Sequence, residues 1–103
     1  MANTIEAKAY LAIIFICGGS GWGTGKTLRE ALDNCKRITE RDWGKVVIFD
    51  EIRPSTAHVF ALESPGQPWS CGVDGMFIGE SREPAKPIKK HPIYLKNREK
   101  RRA

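Results

Sequence analysis

Gly25-Lys26-Thr27 is the segment whose residue types and order most clearly suggest chemistry, because it follows an apolar run and opens a helical pattern. The same three residue types end the phosphate-binding pattern G-x-x-x-x-G-K-[ST], whose backbone N–H groups and lysine hold nucleotide phosphates. A later run, Val46–Asp50, is typical of a strand whose terminal carboxylate binds Mg²⁺. Together these patterns predict a candidate phosphate site composed of Gly21, Gly23, Gly25, Lys26, Thr27 and Asp50.

Three features disagree with a nucleotide site. Ser20 occupies the place of the first glycine, which supports the wrap of backbone around the phosphates. Thr27-Leu28-Arg29-Glu30 is a capping box, in which the Thr27 hydroxyl caps the helix rather than holding a metal. Only 52 residues follow Glu51, and they contain all six prolines. We therefore favour a structural glycine-rich connection from strand to helix, with ATP hydrolysis as the only enzymatic alternative.

Other catalytic arrangements find less support. Asp50 and Glu51 are adjacent, so on a strand they point to opposite faces and cannot act as a pair. His58 has no serine or cysteine nucleophile in a recognisable motif, and Cys71 has no basic neighbour to activate it. We predict a non-enzymatic protein without a cofactor or a metal site. The three cysteines, which lack CxxC spacing, are predicted to be reduced thiols: Cys17, Cys35 and Cys71.

The elements that must position these residues begin with Ala9–Cys17, an apolar run rich in β-branched and aromatic residues. Such a continuous apolar run predicts a central strand that is buried on both faces. The run is far shorter than the roughly 20 residues that a membrane span needs. After the glycine-rich segment, apolar residues recur at helical spacing and Gly44 ends the pattern. The predicted inward-facing residues of this helix are Leu28, Ala31, Leu32, Cys35 and Ile38.

Three more strands are predicted beyond the helix. Lys45–Ile52 is the second strand and Ala57–Glu63 the third, with a short helix from Ser55 as the alternative for that segment. Trp69–Glu80 contains three glycines and predicts a bent or interrupted strand. The order β-α-β-β-β indicates a single small α+β domain, with one helix packed on a mixed or antiparallel sheet.

Charge divides the chain into a mildly acidic part and a basic C-terminal arm. Residues 1–85 hold nine Lys/Arg and eleven Asp/Glu, whereas residues 86–103 hold eight Lys/Arg and one Glu. We predict a compact domain over residues 1–83 and an extended, proline-containing tail over residues 84–103, with a short helix from Pro92 as an alternative. Such a tail either binds nucleic acid, with Tyr94 stacking on a base, or is a solvated terminus.

The run from Trp22 to Cys35, with its Trp-Gly-x-Gly-x-Thr loop leading into an amphipathic helix, resembles small uncharacterised bacteriophage or prophage proteins. Gly72-Val73-Asp74-Gly75-Met76 is similar to a second short motif in those proteins. The resemblance covers about half of the chain. It implies a phage origin, a compact α+β fold and no established activity. The long basic tail departs from the pattern of that group.

We therefore predict a phage-type accessory protein of the host cytoplasm that binds a host protein or protein complex, as a monomer or small homo-oligomer and without a membrane. Inhibition of a host defence or nucleic-acid-processing complex is one form of that role. Nucleic-acid binding by the tail and phosphate or nucleotide binding by the glycine segment are the alternatives. The candidate contact residues are Trp22, Trp69, Tyr94, Lys89, Lys90, Lys96, Arg98, Lys100, Arg101 and Arg102.

Overall fold

A computed structural model describes residues 7–16, 19–43 and 55–95 of the chain. Its single helix and mostly antiparallel strands confirm the predicted α+β class. The predicted strand Lys45–Ile52, with Asp50, lies outside the described residues. The elements in chain order are β1 (Ala9–Ile16), β2 (Gly19–Gly25), α1 (Leu28–Trp43), β3 (Ser55–Leu62), β4 (Trp69–Gly72), β5 (Gly75–Ile78) and β6 (Lys89–Ile93).

Four strands form an antiparallel sheet in the order β2-β1-β3-β6. Ile13 pairs with Trp22 on one side and with His58 on the other, and His58 pairs with Lys90. Side chains of directly paired residues lie on the same face of a sheet. This row therefore crosses all four strands on the face that points away from α1, which we call the distal face.

The helix begins and faces the sheet much as its sequence predicts. The Thr27 hydroxyl accepts a hydrogen bond from the Glu30 N–H at 3.1 Å, which confirms Thr27 as the N-cap. Ala31 and Cys35 are fully buried in a cluster with Ala12, Ile14 and Val59 of the sheet. Thr39, one turn beyond Cys35, is also fully buried, although the apolar pattern did not include it.

The glycine-rich segment is a strand, so the prediction of a loop joining strand to helix is wrong. Gly19–Gly25 pairs along its whole length with β1. Gly21, Gly23 and Gly25 face α1 so closely that a Cβ atom on any of them would collide with the helix, at Gly25 within 2.5 Å of the Glu30 Cβ. Alternate glycines therefore let the helix backbone lie directly against β2.

The distal face is partly covered by a second, two-stranded sheet formed by β4 and β5. Met76 of this hairpin is buried against Leu11, Phe60 and Leu62. The predicted bent strand Trp69–Glu80 is thus a hairpin that reverses between Gly72 and Gly75, where Gly75 has a φ of 125° that favours glycine. The predicted third strand is confirmed as β3, and the alternative helix from Ser55 is wrong.

Part of the predicted tail belongs to the sheet. Lys89–Ile93 forms β6 and pairs with β3, so the fold extends beyond the boundary predicted at residue 83. Pro92 lies within this strand, which contradicts a helix beginning there. Lysine and proline are tolerated in β6 because it is an edge strand, where an N–H facing solvent is not needed for the ladder.

Candidate binding surfaces

Two backbone N–H groups at the N-terminus of α1, those of Lys26 and Glu30, are bonded to side chains of the protein itself. The Glu30 carboxylate accepts a hydrogen bond from the Lys26 N–H at 2.8 Å, while the Thr27 hydroxyl accepts one from the Glu30 N–H. A carboxylate therefore lies where a phosphate would bind, and the extended strand Gly19–Gly25 cannot wrap its N–H groups around an anion. This geometry lends no support to the alternative in which Gly21, Gly23, Gly25, Lys26 and Thr27 form a phosphate-binding loop.

Two of the predicted contact residues, Trp22 and Trp69, meet although they are distant in sequence. Their rings form an edge-to-face pair with centroids 5.2 Å apart and an interplanar angle of 76°. Trp22 is 41% exposed and Trp69 is partly buried against the distal-face core. They line an open groove of about 440 Å³, which we call the tryptophan groove; its lining residues are Trp22, Thr24, Pro65, Gly66, Gln67, Pro68 and Trp69.

One wall of the tryptophan groove is the loop between β3 and β4, which hydrogen bonds hold in place. The Gln67 N–H donates to the Ser64 carbonyl at 3.1 Å and closes a turn with Pro65 and Gly66 at its centre. The Gln67 side-chain oxygen accepts from the Glu63 N–H at 2.8 Å. The Pro68 carbonyl accepts from the Gly79 N–H at 2.8 Å, which ties the loop to the end of β5. Two prolines are thereby fixed beside two indoles.

The tryptophan groove has the chemistry of a surface that binds uncharged ligands. None of its seven lining residues carries a charge. Within the described part of the chain, no hydrogen bond involves the indole N–H of Trp22 or Trp69. Buried tyrosine and tryptophan polar groups usually find a partner, which is why these residues are frequent at interfaces.

A second group of side chains lies on the distal face beyond the cover of the β4–β5 hairpin. Phe15 is 53% exposed although β1 is an inner strand, and its ring packs edge-to-face on His58 at 5.6 Å. Burial lowers the pKa of the His58 imidazole below its usual value, and the nearby charge of Lys90 lowers that pKa further. We call Phe15, Thr56, His58 and Lys90 the Phe15 patch.

Sequence reasoning missed Phe15, because the apolar run predicted a strand buried on both faces. On the distal face, Ala9, Leu11 and Ile13 are buried in the cluster that includes Met76 of the hairpin, whereas Phe15 at the end of the run is exposed. The one sign in the sequence that this end of the sheet is open is the composition of β6, which has lysines where apolar residues would extend the core.

The predicted contact residues of the basic segment are only partly within the described structure. Lys89 and Lys90 are exposed and lie on opposite faces of β6, with Lys90 on the distal face. Tyr94 follows the strand and is 68% exposed. Lys96, Arg98, Lys100, Arg101 and Arg102 lie outside the described residues.

The two thiols in the described structure differ in burial. Burial raises the pKa of Cys35 to about 11, so this thiol stays protonated and serves as a packing residue beneath Gly21. Cys71 is exposed near the tip of the β4–β5 hairpin. Among residues 7–16, 19–43 and 55–95, no three His, Cys, Asp or Glu side chains come together as a metal site requires. None of the described helices is long and apolar enough to cross a membrane.

Comparisons with known proteins leave the two surfaces as the basis for a functional argument. No protein-family model matches the chain, and neither curated proteins nor solved structures give a match.

Proposed function

We propose that this protein is a non-enzymatic binding module whose tryptophan groove takes an extended, proline-containing segment of a partner protein. The meeting of Trp22 and Trp69 in an open, uncharged groove is the observation that supports this role. Tryptophan is among the residues that contribute most binding energy at protein interfaces. A groove without charged residues offers little to a phosphate backbone, so a protein segment suits it better.

The preference for proline rests on the shape and chemistry of the groove walls. Proline-rich segments adopt the extended polyproline II conformation, which has no internal hydrogen bonds and so leaves its carbonyl groups free. Aromatic-lined grooves bind such segments by packing proline rings against indoles. Trp22 and Trp69 supply both the aromatic surface and two N–H donors. The bonded loop around Gln67 keeps that surface formed before a ligand arrives.

The resemblance to phage accessory proteins favours one biological form of this proposal. In that form the ligand is a segment of a host protein, and occupation of the groove blocks the complex in which the segment normally acts. The role needs no catalytic group, since binding by itself produces the effect.

Fluorescence anisotropy with fluorescein-labelled 12-residue peptides tests the proposal. The probes are peptides with two proline pairs in P-x-x-P spacing and matched peptides in which alanine replaces every proline. We expect micromolar binding of the proline peptides and at least tenfold weaker binding of the alanine peptides. Trp69→Ala should weaken proline-peptide binding at least tenfold, because removal of a central anchor costs about 2 kcal/mol.

Val73→Ala is the matched control, since Val73 is fully exposed at the hairpin tip and does not line the groove. It should bind the proline peptides as the wild type does. Circular dichroism and thermal melting must show that Trp69→Ala is folded, and Trp69→Phe, which keeps an aromatic ring, should bind with intermediate affinity. Equal binding of proline and alanine peptides, or unchanged binding by Trp69→Ala, would reject the proposal.

A further inference from the structure

The Phe15 patch shares no residue with the tryptophan groove, although Trp22 of the groove lies on the same face of the sheet. Phe15 lies on an inner strand, where side chains are normally covered, yet more than half of its surface is exposed. An edge-to-face pair cannot cover both faces of either ring, so the contact with His58 leaves flat aromatic surface available. A flat, exposed aromatic surface on a sheet is suited to stacking with another planar group.

Among the described residues, the distal-face positions around Phe15 are neutral or positive. Lys90 of β6 lies opposite His58 of β3. Because β6 is two strands from β1, the backbone at Lys90 is roughly 10 Å from β1, the strand that carries Phe15. Lys90 therefore places a positive charge on the same face as the aromatic pair, directly across from His58. No carboxylate lies among the distal-face positions around Phe15, which are Ile13, Ser20, Trp22, Thr56, His58, Lys90 and Pro92.

Lys90 stands shortly before the most basic part of the sequence. It lies in the edge strand β6, and residues 96–103, which follow β6 in the chain, hold five Lys/Arg and one Glu.

We propose that the Phe15 patch binds single-stranded nucleic acid, with a base stacked on Phe15 and a neighbouring phosphate held by Lys90. Exposed aromatic rings on an antiparallel sheet bind unpaired bases by stacking, and nearby lysines bind the backbone. The rings lie on the surface of the sheet, so they can reach the face of an unpaired base but not a base stacked within a duplex.

Anisotropy titrations with fluorescein-labelled dT12, U12 and a 12-base-pair DNA duplex at 50, 100 and 200 mM KCl test this proposal on the intact protein. We expect dT12 or U12 to bind more tightly than the duplex, and their comparison tells DNA from RNA. Phe15→Leu should weaken single-strand binding at least about fivefold, the lower end of the measured range for one stacked base. Lys90→Gln should reduce the slope of log K against log salt by about 0.7, the loss of one phosphate contact.

Arg29→Gln is the matched control for charge, because Arg29 is exposed on the solvent side of α1, away from the distal face. It should leave the salt slope as in the wild type. Phe15→Tyr keeps a stacking ring and should bind as the wild type does. Thr56→Glu, at an exposed position of the patch, should weaken binding by repelling phosphates and provides a second variant if Phe15→Leu proves unstable.

Three results would overturn the proposal. The first is no binding of dT12 or U12 at 50 mM KCl. The second is equal or tighter binding of the duplex, which would indicate attraction between the basic tail and any polyanion. The third is single-strand binding that neither Phe15→Leu nor Thr56→Glu changes. Because Trp69→Ala tests the tryptophan groove separately, failure at one surface leaves the other proposal standing.

Discussion

Replacement of Gly23 by alanine tests the claim that β2 and α1 are in direct backbone contact. The added methyl group would lie 2.5 Å from the carbonyl carbon of Asn34 and 2.8 Å from its Cβ, and closer still to the backbone nitrogen of Cys35. Carbon atoms in contact prefer separations of about 3.5–4.0 Å. The nearest atoms belong to the helix main chain, so no side-chain rotation relieves the clash. The helix must therefore move roughly 1 Å from the strand.

The cost of that movement can be bounded. Overpacking of a core typically costs about 1–3 kcal/mol, and a clash between main chains belongs at the upper end of this range. Glycine-to-alanine replacement also restricts the unfolded chain, which returns about 0.4–1 kcal/mol. We therefore expect Gly23→Ala to lower the free energy of unfolding by about 2–3 kcal/mol. For a domain of this size, that corresponds to a fall in Tm of roughly 10–20 °C.

Urea unfolding followed by far-ultraviolet circular dichroism measures this loss. Gly66→Ala and Gly72→Ala are matched controls, because a Cβ at either position meets no atom within 4 Å. Both should change the free energy of unfolding by no more than about 0.5 kcal/mol. If Gly23→Ala is as stable as these two variants, the helix does not lie on β2 as described, and the reassignment of the glycine segment fails.

Two other predictions concern buried polar groups. Thr39→Val should raise the free energy of unfolding by about 1 kcal/mol, because the Thr39 hydroxyl is buried beside the Cys35 thiol with no nitrogen or oxygen partner. Thr56→Val, at an exposed position, is the control in the same urea titration. A loss of stability in Thr39→Val would show that the Thr39 hydroxyl does have a hydrogen-bond partner. The lowered pKa of His58 means that the unfolded chain binds a proton before the folded protein does as pH falls below 6.5. Stability should therefore decrease from pH 7 to pH 5 more in the wild type than in His58→Gln, and equal decreases in the two proteins would show that His58 titrates alike in both states.

The helix was predictable because two independent patterns agree. Apolar residues recur at helical spacing from Leu28, and the capping box places the start at Thr27. Strand β2 was not predicted, because glycine disfavours strands and its role here depends on contact with a helix that comes later in the chain. The segment does contain a period-two pattern, in which glycine alternates with Ser20, Trp22 and Thr24. That alternation is typical of a strand and was masked by the likeness to a phosphate loop.

The candidate surfaces were predictable only residue by residue. Trp22 and Trp69 were each selected as exposed aromatics, but their contact depends on the β4–β5 hairpin folding across the distal face. Phe15 could not be recognised from sequence, because whether one end of an apolar strand is covered depends on the length of the hairpin above it. The sequence predicts a tail for the basic segment, because β6 owes its position to pairing with β3 rather than to apolar periodicity.

Nuclear magnetic resonance of the indole N–H groups can show whether the tryptophan groove binds an extended proline-containing segment. The three tryptophans give three indole signals, which single Trp→Phe variants assign. Addition of the P-x-x-P peptide should shift the signals of Trp22 and Trp69 in a saturable manner, while the alanine-substituted peptide leaves both in place. A peptide that binds with neither of these two signals moving would show that the groove is not the binding site.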